Sequence, residues 1–317
     1  MKKRYAMLII CAFIMSELLV GCNKSFEKKP EVESVSVRIN EYLKGEAIDI
    51  CYNDQFVYGV TNEQLIRIHV QNMEDRVEIS DVQVYPIGGS SICAVENYVY
   101  VFSEEGYIYK YTNDNMREEE RYCVTDISKL HMYMGDETRM LADKNIIIVS
   151  RGYYDESISS DRMRYFAFDV KSKGLHEISD SIYGCDDYSY LISLSWIDDK
   201  LISLVTVATN DSIEPEFRAY IYNYNDEIVE KELKLDFWAS DCVYDVLQKC
   251  YIYSSDGFTY YSFDPNEGGS TSLFSLKETG DVENKINTQN VGKLLSVGGL
   301  VIALLPQNNT IEICHYR

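Results

Sequence analysis

The sequence predicts an all-β protein, and three observations point to that class. Aromatic and β-branched residues alternate along short runs, small polar turns separate the runs, and the resulting units recur along almost the whole chain. The chain has 317 residues, of which 46% are hydrophobic and 27 are tyrosine. That composition suffices for a large core, so the protein is not a disordered chain.

The stretch ENYVYVFSEEGYIYKYTN, residues 96–113, shows the alternation clearly. Tyr98, Tyr100 and Phe102 alternate with two valines, and three more tyrosines alternate after the polar turn Ser-Glu-Glu-Gly. Further runs at 91–95 and 119–124 flank this hairpin. Period-two alternation around a short turn is typical of strands, so the segment predicts a meander of four antiparallel strands.

The meander recurs along the chain. The second strand of each unit is expected to begin near Phe56, Tyr98, Asn145, Leu201, Lys249 and Leu300. Steps of about 40 to 56 residues match the repeat lengths of β-propeller blades. The sequence therefore resembles a six-bladed β-propeller of the TolB-like or low-density-lipoprotein-receptor-like type, occupying residues 32–317 as a single domain. A seven-bladed ring with one unrecognised blade, or tandem β-sandwiches, are the alternatives.

The last unit stops at its third strand, which leaves one blade without an outer edge. Near the N-terminus, Val35, Val37 and Ile39 alternate with polar residues. We expect this N-terminal strand to close the last blade, because an unpaired edge invites aggregation. In a propeller the inner strands are covered on both faces, and the large rings of the tyrosines fill that space.

The N-terminal segment MKKRYAMLIICAFIMSELLVGC predicts where the protein resides. Residues 2–4 are basic, residues 6–15 are apolar, and the segment is too short to span a bilayer. The run Leu-Val-Gly-Cys ending at Cys22 resembles a bacterial lipobox. The resemblance implies a signal peptide at residues 1–21, a fatty-acylated Cys22 and a polar tether over 22–31. It places the protein at the cell membrane, on the extracytoplasmic side; an ordinary secretory signal is the alternative.

Charge and cysteine usage exclude several classes. The formal net charge of −21 and the lack of a basic cluster in the body argue against nucleic-acid binding. Nine cysteines without C-x-x-C spacing predict neither a disulfide framework nor a zinc site. Buried free thiols are the favoured interpretation. A disulfide between Cys242 and Cys250, on neighbouring strands of one hairpin, stays open.

No motif of known chemistry occurs, and we expect no cofactor and no metal. The sequence lacks a nucleophile elbow, a zinc-protease helix, a phosphate-binding loop and a dinucleotide fingerprint. The soft donors at 131–134 are more typical of packing than of a copper site. The aspartate pairs at 186–187 and 198–199 are more typical of turns than of calcium loops.

Binding residues are predicted on two long loops. The loops between second and third strands are short in four units but long at 151–161 and 208–216, and the connection at 183–190 joins these two units. Long loops over a rigid scaffold are common binding sites. The predicted ligand-binding residues, all placed in loops, are Tyr153, Tyr154, Asp155, Glu156, Asp186, Asp187, Tyr188, Asp211, Glu214 and Trp238.

Two functions are compatible with these observations. The favoured one is a monomeric, membrane-anchored binding or scaffold lipoprotein that presents one propeller face to a protein or saccharide partner. The alternative is a cell-surface glycan hydrolase or lyase with acidic residues at the mouth of the propeller channel. The binding protein is favoured because no catalytic set of residues can be matched, although the fold itself supports both.

Overall fold

The fold is a ring of six antiparallel sheets, which are the blades of a β-propeller. The computed structural model describes residues 31–73, 76–124, 138–155, 160–178, 188–197, 200–208, 216–235, 241–254, 259–264, 270–276 and 291–316. Two short strands, β1 (Glu31–Val32) and β2 (Ser34–Arg38), are followed by a 3-10 turn at Ile39–Glu41 and then by the blades. The six-bladed prediction is confirmed, and the seven-bladed and sandwich alternatives are wrong.

Blades 1 to 3 are meanders of four consecutive strands. Blade 1 contains β3 (Asp49–Asn53), β4 (Phe56–Val60), β5 (Leu65–Asn72) and β6 (Val77–Tyr85). Blade 2 contains β7 (Ser91–Val95), β8 (Tyr98–Ser103), β9 (Tyr107–Thr112) and β10 (Glu118–Cys123). Blade 3 contains β11 (Arg139–Asp143), β12 (Ile146–Asp155), β13 (Ser160–Asp169) and β14 (Gly174–Glu177).

Blades 4 and 5 repeat this plan, and blade 6 departs from it at its outer edge. Blade 4 contains β15 (Tyr188–Ile197), β16 (Lys200–Ala208), β17 (Glu216–Asn223) and β18 (Ile228–Leu235); blade 5 contains β19 (Cys242–Asp245), β20 (Cys250–Tyr253), β21 (Thr259–Phe263) and β22 (Ser270–Leu276); blade 6 contains β23 (Lys293–Val297), β24 (Leu300–Leu305) and β25 (Thr310–His315), with β2 as its fourth strand. Each second strand begins within one residue of the predicted position.

The meanders give the ring two distinct faces. Turns between the first and second strands, and between the third and fourth, lie on one side, which we call the lower face. Turns between the second and third strands lie on the other side together with the connections between blades, and we call this side the upper face. Each first strand borders the central channel, while the fourth strands form the outer rim.

The core consists of six hydrophobic clusters, one at each seam between neighbouring blades. The largest fully buried side chains include five tyrosines on second and third strands, namely Tyr58, Tyr165, Tyr222, Tyr251 and Tyr260. A ring on a middle strand is covered on both sides because each sheet packs against two neighbours. The tyrosines of the repeat are therefore largely seam residues, as predicted.

The N-terminal strand closes the ring. β2 pairs antiparallel with β25, from Ser34 opposite Cys314 to Arg38 opposite Thr310. The carboxylate of Glu312, which is 2% exposed, accepts hydrogen bonds from the Ser34 hydroxyl and from the Ser36 hydroxyl at 2.6 Å. A buried carboxylate needs such donors, so these two hydroxyls tie the end of the chain to its beginning.

Two further features strengthen this closure, and the sequence did not predict them. β1 adds a fifth strand to blade 5 by pairing parallel with β22, with Glu31 opposite Ser275. On the upper face, the side chain of Asn309 accepts a hydrogen bond from the Ala47 amide at 2.9 Å and donates one to the Gly45 carbonyl at 2.9 Å. Backbone pairing and these hydrogen bonds thus hold the segment 31–47 against blades 5 and 6.

No disulfide joins the six cysteines in the described part of the chain. Cys242 lies opposite Tyr253, and Cys250 lies opposite Asp245. The two residues therefore share a hairpin without facing each other, and the open alternative of a disulfide between them is wrong. Four of the six thiols are buried, namely Cys51, Cys93, Cys242 and Cys314.

We expect deletion of residues 31–38 to lower the melting temperature and to promote self-association. The deletion removes β1 and β2, which exposes the edges of β22 and β25 and takes the buried side chain of Val37 out of its hydrophobic cluster. Thermal unfolding and light scattering measure the two effects. Deletion of residues 23–30, which leaves both strands in place, is the control. Equal melting of the two variants would contradict closure by the N-terminal strands.

Candidate functional site

The first strands of all six blades surround a central channel. It contains a cavity of about 330 Å³. Most of the lining comes from β3, β7, β11, β15, β19 and β23, and it includes aromatic residues such as Tyr52, Trp196 and Tyr244. Asp241 and Val246, directly before and after β19, also line the cavity. Two thiols of the wall, Cys51 and Cys93, have a raised pKa, chiefly because burial disfavours the thiolate. They remain neutral thiols and are poor candidates for nucleophiles.

A ring of buried and partly buried polar side chains surrounds the upper end of the channel, where the first strands begin. Asp49, which is 3% exposed, accepts hydrogen bonds from the Ser91 hydroxyl at 2.5 Å and from the Ile92 amide at 2.9 Å, both in the next blade. Its other carboxylate oxygen pairs with the Lys293 ammonium. Asp49 thus connects blade 1 to both of its neighbours.

The same arrangement recurs around the ring. The Met140 amide of blade 3 donates to the Ser91 hydroxyl at 2.8 Å, and the Leu294 amide of blade 6 donates to the Asp241 carboxylate at 2.5 Å. Asp241 also pairs with Arg139 at 3.1 Å, which links blades 3 and 5. We call Asp49, Ser91, Arg139, Asp241 and Lys293 the polar belt. Its two acids and two bases pair with each other, so the belt stabilises the channel mouth.

The sequence did not reveal the polar belt. Its members are two aspartates, a serine, an arginine and a lysine, so no single residue type marks this position in the units. The only shared signal is that each is a polar residue at or directly before the start of a first strand, and polar residues are common there for turn formation alone.

Two long hairpins distinguish blades 3 and 4 from the rest. Their second strands have ten and nine residues, whereas those of the other blades have four to six. In blade 3 the register runs unbroken from Ile146 opposite Asp169 to Asp155 opposite Ser160. Four or five extra residues at ~3.4 Å each extend a strand by roughly 15 Å. We call this pair the raised hairpins, and they project from the upper face.

The raised hairpins correct the predicted loop positions. Tyr153, Tyr154 and Asp155 lie in β12, and their backbone pairs with β13. Tyr188 is the first residue of β15 and is paired with Ala208. The prediction that these four residues lie in loops is wrong, because paired strands extend through most of 151–161 and into 183–190. β13 contacts β15, so the two blades adjoin here. The remaining predicted residues, Glu156, Asp186, Asp187, Asp211, Glu214 and Trp238, lie outside the described residues.

An ionic cluster lies at the upper end of the paired strands in the blade 4 hairpin. Glu216, the first residue of β17, binds Arg218 at 3.0 Å and Lys234 at 2.5 Å, and Arg218 also binds Glu232 at 2.8 Å. These donors lower the pKa of Glu216, with the bond from Lys234 as the largest cause. A carboxyl group held ionised in this way can attract a cationic group, but it cannot serve as a general acid near neutral pH.

The described part of the chain shows no site for a metal and no membrane-spanning helix. It contains no group of three or more His, Cys, Asp or Glu side chains placed to hold an ion. Within the same residues, no helix has the length and apolar character needed to cross a bilayer. The motif at 131–134 and the aspartate pairs at 186–187 and 198–199 lie outside the described residues.

Comparisons with known proteins support the fold. The sequence matches no protein-family model and no curated protein. The Neurospora crassa Pan2 WD40 domain is similar, with a TM-score of 0.53 and 9% identity over 90% of this chain and 94% of that chain. The WD40 β-propeller domain of Doa1 has a TM-score of 0.50 and 10% identity over 92% and 98%. At such identities the likeness shows a shared propeller fold.

We expect Asp241→Ala to lower the free energy of unfolding by about 3–5 kcal/mol, since it removes one member of a buried ion pair and an acceptor of the Leu294 amide. Chemical denaturation measures the change. The control is Glu78→Ala, which breaks the exposed pair with Arg76 and should cost at most about 1 kcal/mol. Equal losses in the two variants would show that the polar belt does not stabilise the ring.

Proposed function

We propose that this protein is a membrane-anchored extracytoplasmic lipoprotein whose propeller binds a protein or saccharide partner through its upper face. The observation that carries the binding role is the pair of raised hairpins on blades 3 and 4. Ring closure requires only the short hairpins found in the other blades. Extensions of this kind, held on a rigid scaffold, are typical positions for binding residues.

The anchor is supported by the N-terminal sequence. The run Leu-Val-Gly-Cys ends at Cys22 after a basic start and an apolar segment of signal-peptide length. Strand β1 begins at Glu31, nine residues after Cys22. Nine residues span at most ~30 Å when fully extended, so an acylated Cys22 would keep the ring next to the bilayer.

The charge of the upper face supports a partner with basic or hydroxyl groups. The described turns and connections of that face carry five exposed glutamates and one lysine, namely Glu41, Glu46, Glu63, Glu104, Glu105 and Lys44. Several predicted binding residues are also acidic or aromatic. Carboxylates accept hydrogen bonds from sugar hydroxyls or pair with a basic peptide, and aromatic rings stack on sugars or cations.

The enzyme alternative gains no support from the described carboxyl groups with a shifted pKa. Those of Glu120, Asp169, Glu216 and Glu230 all shift downward, because lysines, arginines or amides donate hydrogen bonds to them. A glycan hydrolase needs one carboxylic acid with a raised pKa beside an ionised carboxylate. The binding role is therefore the better supported function.

We expect metabolic labelling with a clickable fatty acid to mark the wild-type protein and not Cys22→Ala. The acyl chain is attached through the Cys22 sulfur, so removing the sulfur removes the label. Equal labelling of the two proteins would contradict the anchor.

We expect Tyr154→Ala and Trp238→Ala to weaken partner binding by about 2 kcal/mol each, or roughly 30-fold in Kd, as loss of an aromatic anchor typically does. A glycan array and an affinity purification identify the partner, and calorimetry measures the change. Lys144→Ala, an exposed residue of the lower face of blade 3, is the control. Loss of binding in the control alone would show that the partner binds the other face.

Ionic strength separates the two partner classes. Binding of a basic peptide should weaken steeply as salt rises from low to physiological concentration, because the screening length then falls to about 8 Å. Binding of a saccharide held by stacking and hydrogen bonds should change little over the same range.

A further inference from the structure

We propose that the central channel is a binding site for a small aryl carboxylate. The polar belt holds the charged group, and the channel wall below the belt holds the aromatic ring. This site is separate from the partner site of the upper face, and it does not depend on the lipid anchor. Its cavity of about 330 Å³ lies near the lower end of the range of about 300–1,000 Å³ that is typical of small-molecule pockets. The ligand is therefore small.

One layer of the channel wall combines large aromatic side chains with small ones. Each first strand contributes the residue that pairs with the second residue of the second strand, and all six of these residues line the cavity. We call them the channel layer, and they are Tyr52, Ala94, Ala142, Trp196, Tyr244 and Ser296. Blades 1, 4 and 5 supply the aromatic groups, whereas blades 2, 3 and 6 supply the small side chains. The space beside the small side chains can hold a flat ring that packs against the aromatic groups.

The polar belt lies above this layer, with its bases more accessible than its acids. Each belt residue precedes a channel-layer residue of the same blade by three positions, or about 10 Å along an extended strand. The side chains of Lys293 and Arg139 are 16% and 12% exposed, whereas those of their partners Asp49 and Asp241 are 5% and 3% exposed. Both bases line the cavity, as does Asp241. The cationic half of each pair is thus the half that a ligand reaches more easily.

The hydrogen-bonding capacity that remains at Lys293 is that of a donor. Asp49 accepts bonds from the Ile50 amide at 2.8 Å, the Ser91 hydroxyl and the Ile92 amide, in addition to its pair with Lys293. The Lys293 ammonium has three donors, and Asp49 is the one partner that the described part of the chain gives it. A ligand carboxylate can accept the remaining N–H groups. A cationic ligand would instead meet a carboxylate whose oxygens are already bonded.

The wall between the belt and the channel layer is largely apolar. It includes the buried thiols of Cys51 and Cys93. Burial raises the pKa of both thiols, and the Lys293 ammonium, which acts in the opposite direction, lies close enough to affect both. The thiols remain neutral and do not compete with an anionic ligand. An ion pair formed in such surroundings is screened less than one on the protein surface.

The lower end of the channel offers an entry path. Val246 lies in the turn between β19 and β20, lines the cavity and is 73% exposed. A residue that belongs both to the cavity wall and to the outer surface marks a place where the cavity reaches solvent. This turn has four residues, whereas the equivalent turn of the other five blades has two. Entry from below leaves the upper face available to the proposed partner.

The test compares 4-fluorophenylacetate with its neutral amide, 4-fluorophenylacetamide, which has the same ring and no charge. Fluorine NMR with the purified protein measures Kd for each compound. We expect the carboxylate to bind at least about tenfold more tightly, because charge-assisted hydrogen bonds are roughly twice as strong as neutral ones. Equal affinity of the two compounds overturns the assignment of an anionic ligand. Absence of binding by both at millimolar concentration overturns the site.

Two variants locate the charged group. Lys293→Met removes the ammonium and should weaken the carboxylate about tenfold while leaving the amide unchanged. Lys293→Arg keeps the charge and should keep the preference for the carboxylate. The matched control is Lys200→Met, which breaks the ion pair with Glu230 outside the channel. Equal weakening in Lys293→Met and Lys200→Met places the carboxylate elsewhere and overturns the proposal.

A fluorescence measurement locates the aromatic ring without altering the channel. The chain has two tryptophans, so Trp238→Phe leaves Trp196 of the channel layer as the only one. We expect 4-fluorophenylacetate to change its emission with the same Kd as in the NMR titration. Ala142→Trp, which fills the channel layer, should abolish binding, and thermal unfolding checks that each variant is folded. Unchanged emission, or full binding by folded Ala142→Trp, shows that the compound binds outside the channel and overturns the proposal.

Discussion

Closure of the ring is the constraint on which the rest of this structure depends. Each blade buries both of its faces against neighbours, so a ring opened at any seam exposes two apolar surfaces at once. The two ends of the propeller domain meet at the seam between blades 6 and 1. Contacts close this seam at three distances from the central channel. The Lys293–Asp49 pair closes it at the channel, a hydrophobic cluster that includes Ile50 and Ile302 fills it, and β2 on β25 closes the rim.

The polar groups of these closures explain why buried carboxylates are acceptable in the ring. Glu312 receives two hydroxyl donors, Asp49 receives an amide, a hydroxyl and an ammonium, and Asp241 receives an amide and a guanidinium. Burial of a carboxylate costs free energy when no hydrogen-bond donor reaches it. When donors do reach it, the carboxylate favours the one arrangement of the chain that brings them together. Each such group therefore requires two segments of chain to meet in one register, which apolar packing alone does not specify. The polar groups select the closed ring, and the apolar seams stabilise it.

The sequence predicted the parts of the fold that burial determines. Alternating residues located all six second strands and the closing strand, because side chains facing a seam must be apolar at every second position. The same signal failed at Tyr153 to Asp155, where the sequence loses its alternation but the backbone of β12 continues to pair with β13. Strand pairing needs only backbone hydrogen bonds, so a hairpin that rises beyond the seams carries no period-two pattern. For the same reason the two-residue pairing of β1 with β22 left no sequence signal.

The deviations from six-fold regularity separate the two faces of the ring. The long second strands of blades 3 and 4 extend the upper face, whereas the four-residue turn of blade 5 extends the lower face with Val246 and Leu247. The first deviation lengthens two paired strands beside acidic turns, and the second adds exposed apolar side chains. The two faces of one rigid scaffold therefore offer different chemistry to a partner.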